Sequence, residues 1–148
     1  MEDETGQPFV GRAGQILERL FDAIGLRRQD VYITSILKCR PLKNRNPNPS
    51  EIKACTPFLE EQLRIVRPKI IVPLGHYAGT YFFNKYALGK FKISDVHARF
   101  FQIRPNKRSL YLVPQYHPAV VLYNVKDFAQ LTKDFKVLKR VLDNKHRS

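Results

Sequence analysis

The sequence predicts an α/β fold with a short, mainly parallel sheet. Two apolar runs, at residues 31–37 and 69–74, each precede a stretch with helical spacing of apolar side chains, and strand-then-helix order is typical of parallel sheets. Hydrophobic residues make up 43% of the chain and aromatic residues 11%, which is the composition of a globular protein rather than a disordered one. At 148 residues the chain is expected to form one domain, residues 1–148.

The first part of the chain predicts a loop, a helix and a buried strand. The polar residues 1–14 are expected to form the loop. Apolar side chains over residues 13–24 recur at the spacing of one helical face, and Gly25 is suited to end the helix. Residues 31–37 are mostly apolar and lead into a loop at residues 40–49 that is rich in proline, asparagine and cationic groups. A loop beyond the carboxyl end of a parallel strand is a usual place for a ligand.

The middle of the chain repeats the strand-then-helix order. Ser50 is suited to cap a helix over residues 50–67, and Pro68 ends it. The apolar run at residues 69–74 is expected to form a strand, followed by a helix over residues 76–83.

The last part predicts short strands and a long helix. Residues 91–112 are expected to form strands around the turn at residues 105–107. The last of these strands, at residues 110–114, is followed directly by the polar group Gln115-Tyr116-His117-Pro118, which is therefore expected at a strand end. A final amphipathic helix follows, with many lysines on its outer face. Its expected inward residues are Phe128, Leu131, Phe135, Leu138 and Leu142.

The charge of the chain indicates a polyanionic partner. There are 26 Lys and Arg residues against 13 Asp and Glu residues, so the formal net charge is +13. Nucleic acid is the leading candidate, and the alternative is a basic protein with no specific partner. No apolar run approaches the roughly twenty residues of a membrane span, so a soluble, cytoplasmic protein is expected. Two cysteines are too few for the framework of a small secreted protein.

Three segments together resemble one known family. They are TGQPFVGRAG at residues 5–14, Lys38-Cys39-Arg40-Pro41 followed by Asn44-Arg45, and His117-Pro118-Ala119 followed by Asn124. In order and spacing they resemble the type 4, iron–sulfur uracil-DNA glycosylases across essentially the whole chain. The resemblance implies a three-layer α/β/α fold with a short, mainly parallel sheet. It also implies an enzyme that flips uracil out of DNA and hydrolyses its N-glycosidic bond, which initiates base excision repair near the nucleoid.

The resemblance gives roles to two residues in the pocket. Phe9 corresponds to the aromatic residue that stacks on the flipped uracil, and such stacking restores on the order of 1–3 kcal/mol. His117 corresponds to the histidine that hydrogen-bonds a uracil carbonyl oxygen, where negative charge develops as the base departs. The alternatives are that Phe9 only packs under the first helix and that His117 is a turn residue. The other histidines, His76, His97 and His146, are expected to be ordinary turn or surface residues.

Further residues are expected to contact uracil or DNA. Ser35 stands where many members carry the asparagine that reads the uracil edge, and a hydroxyl satisfies fewer edge atoms than an amide. Asn44 is assigned to substrate binding and Leu122 to the wedge that enters the minor groove, unless residues 120–122 simply begin a buried helix. Arg40, Lys43 and Arg45 suit phosphate contacts, although a solvated basic loop is the alternative. Arg12, Arg99 and Lys126 are candidates to extend this basic patch.

The resemblance also implies a cluster and an upstream motif. Cys39 and Cys55 correspond to two ligands of a 4Fe–4S cluster, whose other two cysteines lie nearer the N-terminus in the family; this chain has no other cysteine, so the cluster is expected to be incomplete or absent. Outside the family the pair would be ordinary thiols. Met1 stands where a Gly-Glu-Ala-Pro-Gly-like motif should join, which implies a shortened chain without its first strand. Glu2 and Asp3 are the carboxylates able to orient water or stabilise the sugar cation, unless they form only an acidic terminus.

Two other functions stay open at this point. A catalytically silent DNA-binding relative would fit the absent motif and the two missing cysteines. A basic RNA-binding protein would fit the charge, although no stacking-platform motif supports it.

Overall fold

The computed structural model describes residues 11–34 and 49–147. In that part of the chain there are six α-helices, three short strands and two turns of 3-10 helix. The helices are α1 (Arg12–Ala23), α2 (Pro49–Val66), α3 (Gly75–Lys85), α4 (Ile93–Val96), α5 (Val120–Tyr123) and α6 (Asp127–Arg147). The strands are β1 (Ile70–Ile71), β2 (Phe101–Ile103) and β3 (Leu110–Leu112), and the 3-10 turns are Arg28–Asp30 and Pro105–Lys107.

The three strands form one mixed sheet in the order β1-β3-β2. The central strand β3 pairs in parallel with β1 and antiparallel with β2. The parallel pairing continues beyond the strands as a bridge between Leu74 and Gln115. The segments that contain β1 and β3 therefore run side by side until α3 begins. The turn at residues 105–107 joins the antiparallel strands β2 and β3, as predicted.

Helices cover both faces of this sheet. Because neighbouring residues of a strand point to opposite faces, Leu110 and Leu112 enter one core and Val113 enters the other. Ile70 and Ile71 divide in the same way. One core contains side chains of α1 and α6, and the other contains side chains of α2 and α3. The expected α/β fold is confirmed, and it has three layers.

The core of α1 and α6 follows the predicted helical faces. Leu17 and Leu20 of α1 are fully buried, as are Leu131 and Phe135 of α6. The rings of Phe21 and Phe135 lie 6.2 Å apart, which joins the two helices directly. Leu138 is also buried, and Phe128 and Leu142 are partly buried against the same core. Gly25 follows α1 with a φ of +71°, the left-handed conformation that commonly ends a helix.

The core on the other face is built around aromatic side chains. The rings of Phe83 and Phe91 meet edge to face at 5.0 Å, and Phe82 is buried beside them. Phe91 lies directly on the backbone of α3, because a Cβ placed on Gly79 would stand 2.1 Å from its ring. Close contact between ring and helix therefore depends on a glycine at this position.

A hydrogen-bonded cluster links α2 to α3. The Tyr81 hydroxyl donates to Glu60, and Lys85 forms an ion pair with the same carboxylate. Burial opposes ionisation of Glu60, but the hydrogen bonds from Lys85 and Tyr81 outweigh it and hold the pKa of Glu60 below its ordinary value. Burial, together with the Glu60 hydrogen bond, raises the pKa of Tyr81. The cluster orients α3 against α2.

The predicted strand at residues 31–37 is wrong for its described part, residues 31–34, which form no ladder within the described chain. The apolar composition of this segment has another cause. Val31 and Ile33 pack against the core of α1 and α6. On the alternate positions, Thr34 Oγ1 donates to Gln62 Oε1 at 2.9 Å, and Gln62 Nε2 donates to Tyr32 Oη at 2.8 Å. Side-chain hydrogen bonds to α2 thus fix this segment.

Smaller differences concern the ends of helices. The predicted loop over residues 1–14 ends earlier, because α1 begins at Arg12. The helix expected from Ser50 begins at Pro49, and α4 lies within residues 91–112, where only strands were expected. Every helix in residues 11–34 and 49–147 is too short or too polar to span a bilayer.

Replacing Gly79 by alanine is expected to lower the free energy of unfolding by about 1–3 kcal/mol, because the new methyl group overlaps the Phe91 ring. In an ordinary helix interior the same change raises stability by roughly 0.5–1 kcal/mol, so the sign of the effect tests the contact. Urea unfolding followed by circular dichroism measures it. Adding Phe91→Leu to Gly79→Ala should recover part of the loss, and a Gly79→Ala protein as stable as the parent would contradict the packing.

Candidate active site at the carboxyl end of the sheet

His117 lies just beyond the carboxyl end of β3. The chain between them stays hydrogen-bonded to the neighbouring segment, since Val113 N donates to Ile71 O at 2.9 Å and Gln115 N donates to Pro73 O at 3.0 Å. In return, Gly75 N donates to Gln115 O at 2.9 Å. These bonds bring the residues before His117 against the start of α3. His117 therefore lies at a strand end, as predicted.

The ring of His117 is oriented by the backbone that follows it. Ala119 N donates to Nδ1 of His117 at 3.0 Å. A ring nitrogen that accepts a hydrogen bond carries no proton, so in the neutral imidazole the proton is on Nε2. The local turn therefore selects the tautomer in which Nε2 is a hydrogen-bond donor.

Gly75 forms the floor beneath His117. Its φ is +89°, a conformation that side-chain-bearing residues rarely adopt, and a Cβ at this position would stand 3.0 Å from the Cβ of His117. The same glycine begins α3, whose N-cap, Leu74, makes no side-chain capping bond. The start of a helix carries partial positive charge from its unpaired N–H groups. His117 therefore lies next to a backbone region that favours negative charge.

The segment after His117 divides into a buried and an exposed part. Val121 of α5 is buried in the core of α1 and α6. Leu122 is 39% exposed, and Tyr123 and Val125 are 91% and 78% exposed. Val121 therefore fits the alternative that residues 120–122 begin a buried helix. Leu122 does not: together with Tyr123 and Val125 it forms an exposed apolar rim. The resemblance places residues 118–123, which include Tyr123, in the loop that enters the minor groove, and the structure adds Val125 to the exposed apolar side chains beside it.

A second polar group lies behind the loop that carries His117. His97 Nδ1 lies 2.7 Å from Asp134 Oδ2, and Gln130 Nε2 donates to Asp134 Oδ1 at 2.9 Å. The ring of His97 packs against that of Tyr116, with centroids 4.9 Å apart. Burial, with the negative charge of Asp134, raises the pKa of Tyr116. His97, expected to be an ordinary turn residue, is instead half-buried and hydrogen-bonded to the buried carboxylate of Asp134.

Sequence reading missed this network because its members are far apart in the chain. His97 and Asp134 are separated by 37 residues. The one available signal was Asp134 itself, which interrupts the apolar face of α6 between Leu131 and Phe135. A carboxylate on a core-facing position needs a partner, but the pattern does not say which one.

Most of the other predicted site residues lie outside the described part of the chain. These are Glu2, Asp3, Phe9, Ser35, Cys39, Arg40, Lys43, Asn44 and Arg45. Arg12 and Lys126 are exposed, and Arg99 is exposed with its guanidinium 6.0 Å from the centroid of the Phe101 ring.

The residues present do not form a complete iron–sulfur site. Cys55 lies in α2, and Cys39 is the only other cysteine of the sequence, whereas a cubane cluster normally takes four thiolates. Among the described residues, no group of three or more His, Cys, Asp or Glu side chains is arranged to hold a metal ion.

Comparison with known proteins assigns the family. The family model for the uracil DNA glycosylase superfamily matches residues 1–141. The chain belongs to this superfamily. It is 42% identical to a type-4 uracil-DNA glycosylase of Archaeoglobus fulgidus over 135 residues, which are 91% of this chain and 68% of the relative. It is 41% identical to a type-4 uracil-DNA glycosylase of Saccharolobus solfataricus over 145 residues, covering 97% of this chain and 67% of that one.

The resemblance to type 4 members is thereby confirmed. A third relative, the type-4 uracil-DNA glycosylase of Sulfurisphaera tokodaii, is 39% identical over 95% of this chain and 64% of its own length. The chain thus spans about two thirds of the length of these curated relatives.

Replacing Gly75 by alanine is expected to displace His117, because the new Cβ would crowd the Cβ of that histidine. Gly25→Ala is the matched control: its φ is +71°, but a Cβ there would meet no atom within 4 Å. Both variants should lose about 1–3 kcal/mol of stability from backbone strain. Only Gly75→Ala should shift the imidazole ¹⁵N and ¹H NMR signals of His117. Equal His117 signals in both variants would contradict the contact.

Proposed function

We propose that this chain is a uracil-DNA glycosylase, which flips uracil out of DNA and hydrolyses its N-glycosidic bond to initiate base excision repair. Membership of the superfamily and identity of about 40% to type-4 enzymes support the reaction class. The observation that carries the proposal is the geometry of His117, whose Nδ1 accepts from Ala119 N and whose Nε2 is therefore a donor.

A donor of this kind suits the chemistry of N-glycosidic cleavage. When the bond to the sugar breaks, positive charge develops on the sugar and negative charge develops on the departing uracil, mostly on its carbonyl oxygens. A neutral imidazole with its proton on Nε2 donates to such an oxygen without first losing or gaining a proton. Removing one such donor typically costs on the order of 10²–10³ in rate. The start of α3, which has no side-chain cap and lies beside His117, favours the same negative charge.

The remaining pocket residues are assigned by the family resemblance. Phe9 stacks on the flipped uracil, and Ser35 and Asn44 contact its polar edge, with backbone groups or water completing what the short Ser35 hydroxyl does not reach. Glu2 and Asp3 orient the attacking water or stabilise the sugar cation. These five roles are predictions, and the corresponding residues lie outside the described part of the chain.

DNA binding follows from charge and from the exposed rim after His117. The net charge of +13 favours a polyanion, and Arg40, Lys43 and Arg45 are assigned to phosphates. Leu122 enters the minor groove as a wedge beside the flipped base, since apolar side chains between base steps offset the cost of unstacking. Its exposure beside Tyr123 supports this role.

Cluster binding stays a separate prediction. Cys39 and Cys55 would supply two of the four thiolates of a 4Fe–4S cluster. Iron and acid-labile sulfide analysis of the purified chain tests whether any cluster is held.

A second candidate is a catalytically silent DNA-binding relative. The sequence has two cysteines where a cubane cluster normally takes four thiolates, which favours it. It predicts salt-dependent binding of DNA without formation of abasic sites, so a cleavage assay separates the two candidates.

The central test is single-turnover excision of uracil from a duplex, followed by alkaline cleavage of abasic sites. The parent chain should give strand breaks at uracil, and His117→Ala should lower the rate by about 10²–10³, because it removes the leaving-group donor. His146→Ala, at the distal end of α6, is the matched control and should leave the rate unchanged. DNA binding without breaks would favour the silent relative, and breaks that persist in His117→Ala would overturn the role of this histidine.

Replacing Leu122 by alanine is expected to slow excision from duplex DNA more than from single-stranded DNA, because only the duplex must be unstacked. The ratio of the two single-turnover rates measures this effect. Ile65→Ala is the control: Ile65 is 71% exposed and lies in α2, which precedes the opposite end of β1. If Leu122→Ala slows both substrates equally, Leu122 is not a wedge.

A further inference from the structure

The loop that carries His117 packs against the segment at His97 and Ala98. Ala98 N donates to Pro114 O at 2.8 Å. The ring of His97 packs on the ring of Tyr116, tilted by 40° with centroids 4.9 Å apart. Two successive residues of one segment thus contact the backbone and a side chain of the loop just before His117.

Asp134 anchors this support to α6. Its side chain is 4% exposed and accepts hydrogen bonds from His97 and from Gln130. A carboxylate only accepts, so Nδ1 of His97 carries the proton of this bond. Removing a donor from a carboxylate that is 4% exposed is unfavourable, because a buried charge depends on its hydrogen bonds. Asp134 and His97 are therefore held together strongly enough to fix the position of the His97 ring.

The neighbouring contacts are weaker and do not replace this bond. Gln115 Nε2 reaches the backbone oxygen of Asp134 at 3.4 Å, and the buried Oε1 of Gln115 has no hydrogen-bond partner among the described residues. Ala98 has a φ of +63°, a left-handed conformation that is unfavourable for a residue with a side chain. The backbone that supports Pro114 is thus strained, and the adjacent His97–Asp134 bond is suited to keep it in place.

We propose that His97 and Asp134 are positioning residues for His117, which hold Tyr116 and the loop backbone so that Nε2 of His117 points at the departing base. This inference rests on the proposed glycosylase function. His97 packs on Tyr116, and the backbone oxygen of Asp134 accepts from Gln115, so both residues act through the loop that precedes His117. Precision matters here because a misplacement of about 1 Å at a reacting group can lower a rate about 100-fold.

Three substitutions separate the contributions of the Asp134 charge, the His97 ring and the His97 N–H donor. Asp134→Asn keeps the shape of the side chain and removes its charge. His97→Phe keeps a ring against Tyr116 and removes the donor to Asp134. His97→Asn removes the ring but keeps an amide N–H close to the position of Nδ1, so it should restore part of what His97→Phe loses.

A double-mutant cycle with His117 decides the proposal. His97→Phe and Asp134→Asn should each lower the single-turnover excision rate about 10-fold or more while binding of uracil-containing duplex changes little. In the His117→Ala background the same changes should have no further effect on the rate. An equal loss in both backgrounds would overturn the proposal, since it would show that His97 and Asp134 act on folding or binding and not through His117.

A matched control accounts for stability. Tyr81→Phe removes the hydrogen bond between α2 and α3, on the other face of the sheet, and should lower the midpoint of thermal unfolding without lowering the excision rate. If His97→Phe fails to fold, His97→Asn and Asp134→Asn carry the cycle.

The inference can fail separately from the proposed function. If the parent chain excises no uracil, the glycosylase proposal fails, and the imidazole NMR signals of His117 still test the positioning. They should shift in Asp134→Asn and not in Tyr81→Phe. Unchanged His117 signals in Asp134→Asn would overturn the positioning role.

Discussion

The parallel hydrogen bonding between residues 69–75 and 111–115 is the constraint on which the rest of the structure depends. Tyr111 N, Val113 N and Gln115 N donate in turn to oxygens of residues 69, 71 and 73, at 2.9 to 3.0 Å. This register sends alternate side chains of both segments into opposite cores. It also ends where Gly75 N donates to Gln115 O, which brings the start of α3 to His117. A slip by one residue would exchange the two cores and separate Gly75 from His117.

Two histidines of this chain show how local partners set the role of an imidazole. In His117, Nδ1 accepts from the backbone N–H of Ala119, so the donor is Nε2. In His97, Nδ1 donates to the buried carboxylate of Asp134. The first arrangement leaves a neutral donor at the carboxyl end of the sheet, which suits a site where negative charge develops. The second arrangement joins His97 to α6, which suits a residue that supports the loop carrying His117.

The helical elements could be predicted because helices are local. The apolar spacing in α1 and α6 was enough to identify their buried faces, and Leu131 and Phe135 are buried as predicted. Residues 31–34 were mistaken for a strand because they are mostly apolar and rich in β-formers, and a segment that packs apolar side chains into a core outside any sheet has the same composition. Here Tyr32 and Thr34 bond to Gln62 instead of pairing with a strand.

By itself the sequence determined the family, the α/β fold and the placement of His117 at a strand end. The family follows from motifs of consecutive residues, and the fold and the placement follow from the local spacing of apolar residues. The tertiary structure decided what depends on distant residues meeting. It placed Gly75 beneath His117, buried Val121 while leaving Leu122 exposed, and joined His97 to Asp134 across 37 residues. Such contacts arise only when the sheet register and the packing of α6 bring separate segments together, and no local pattern records them.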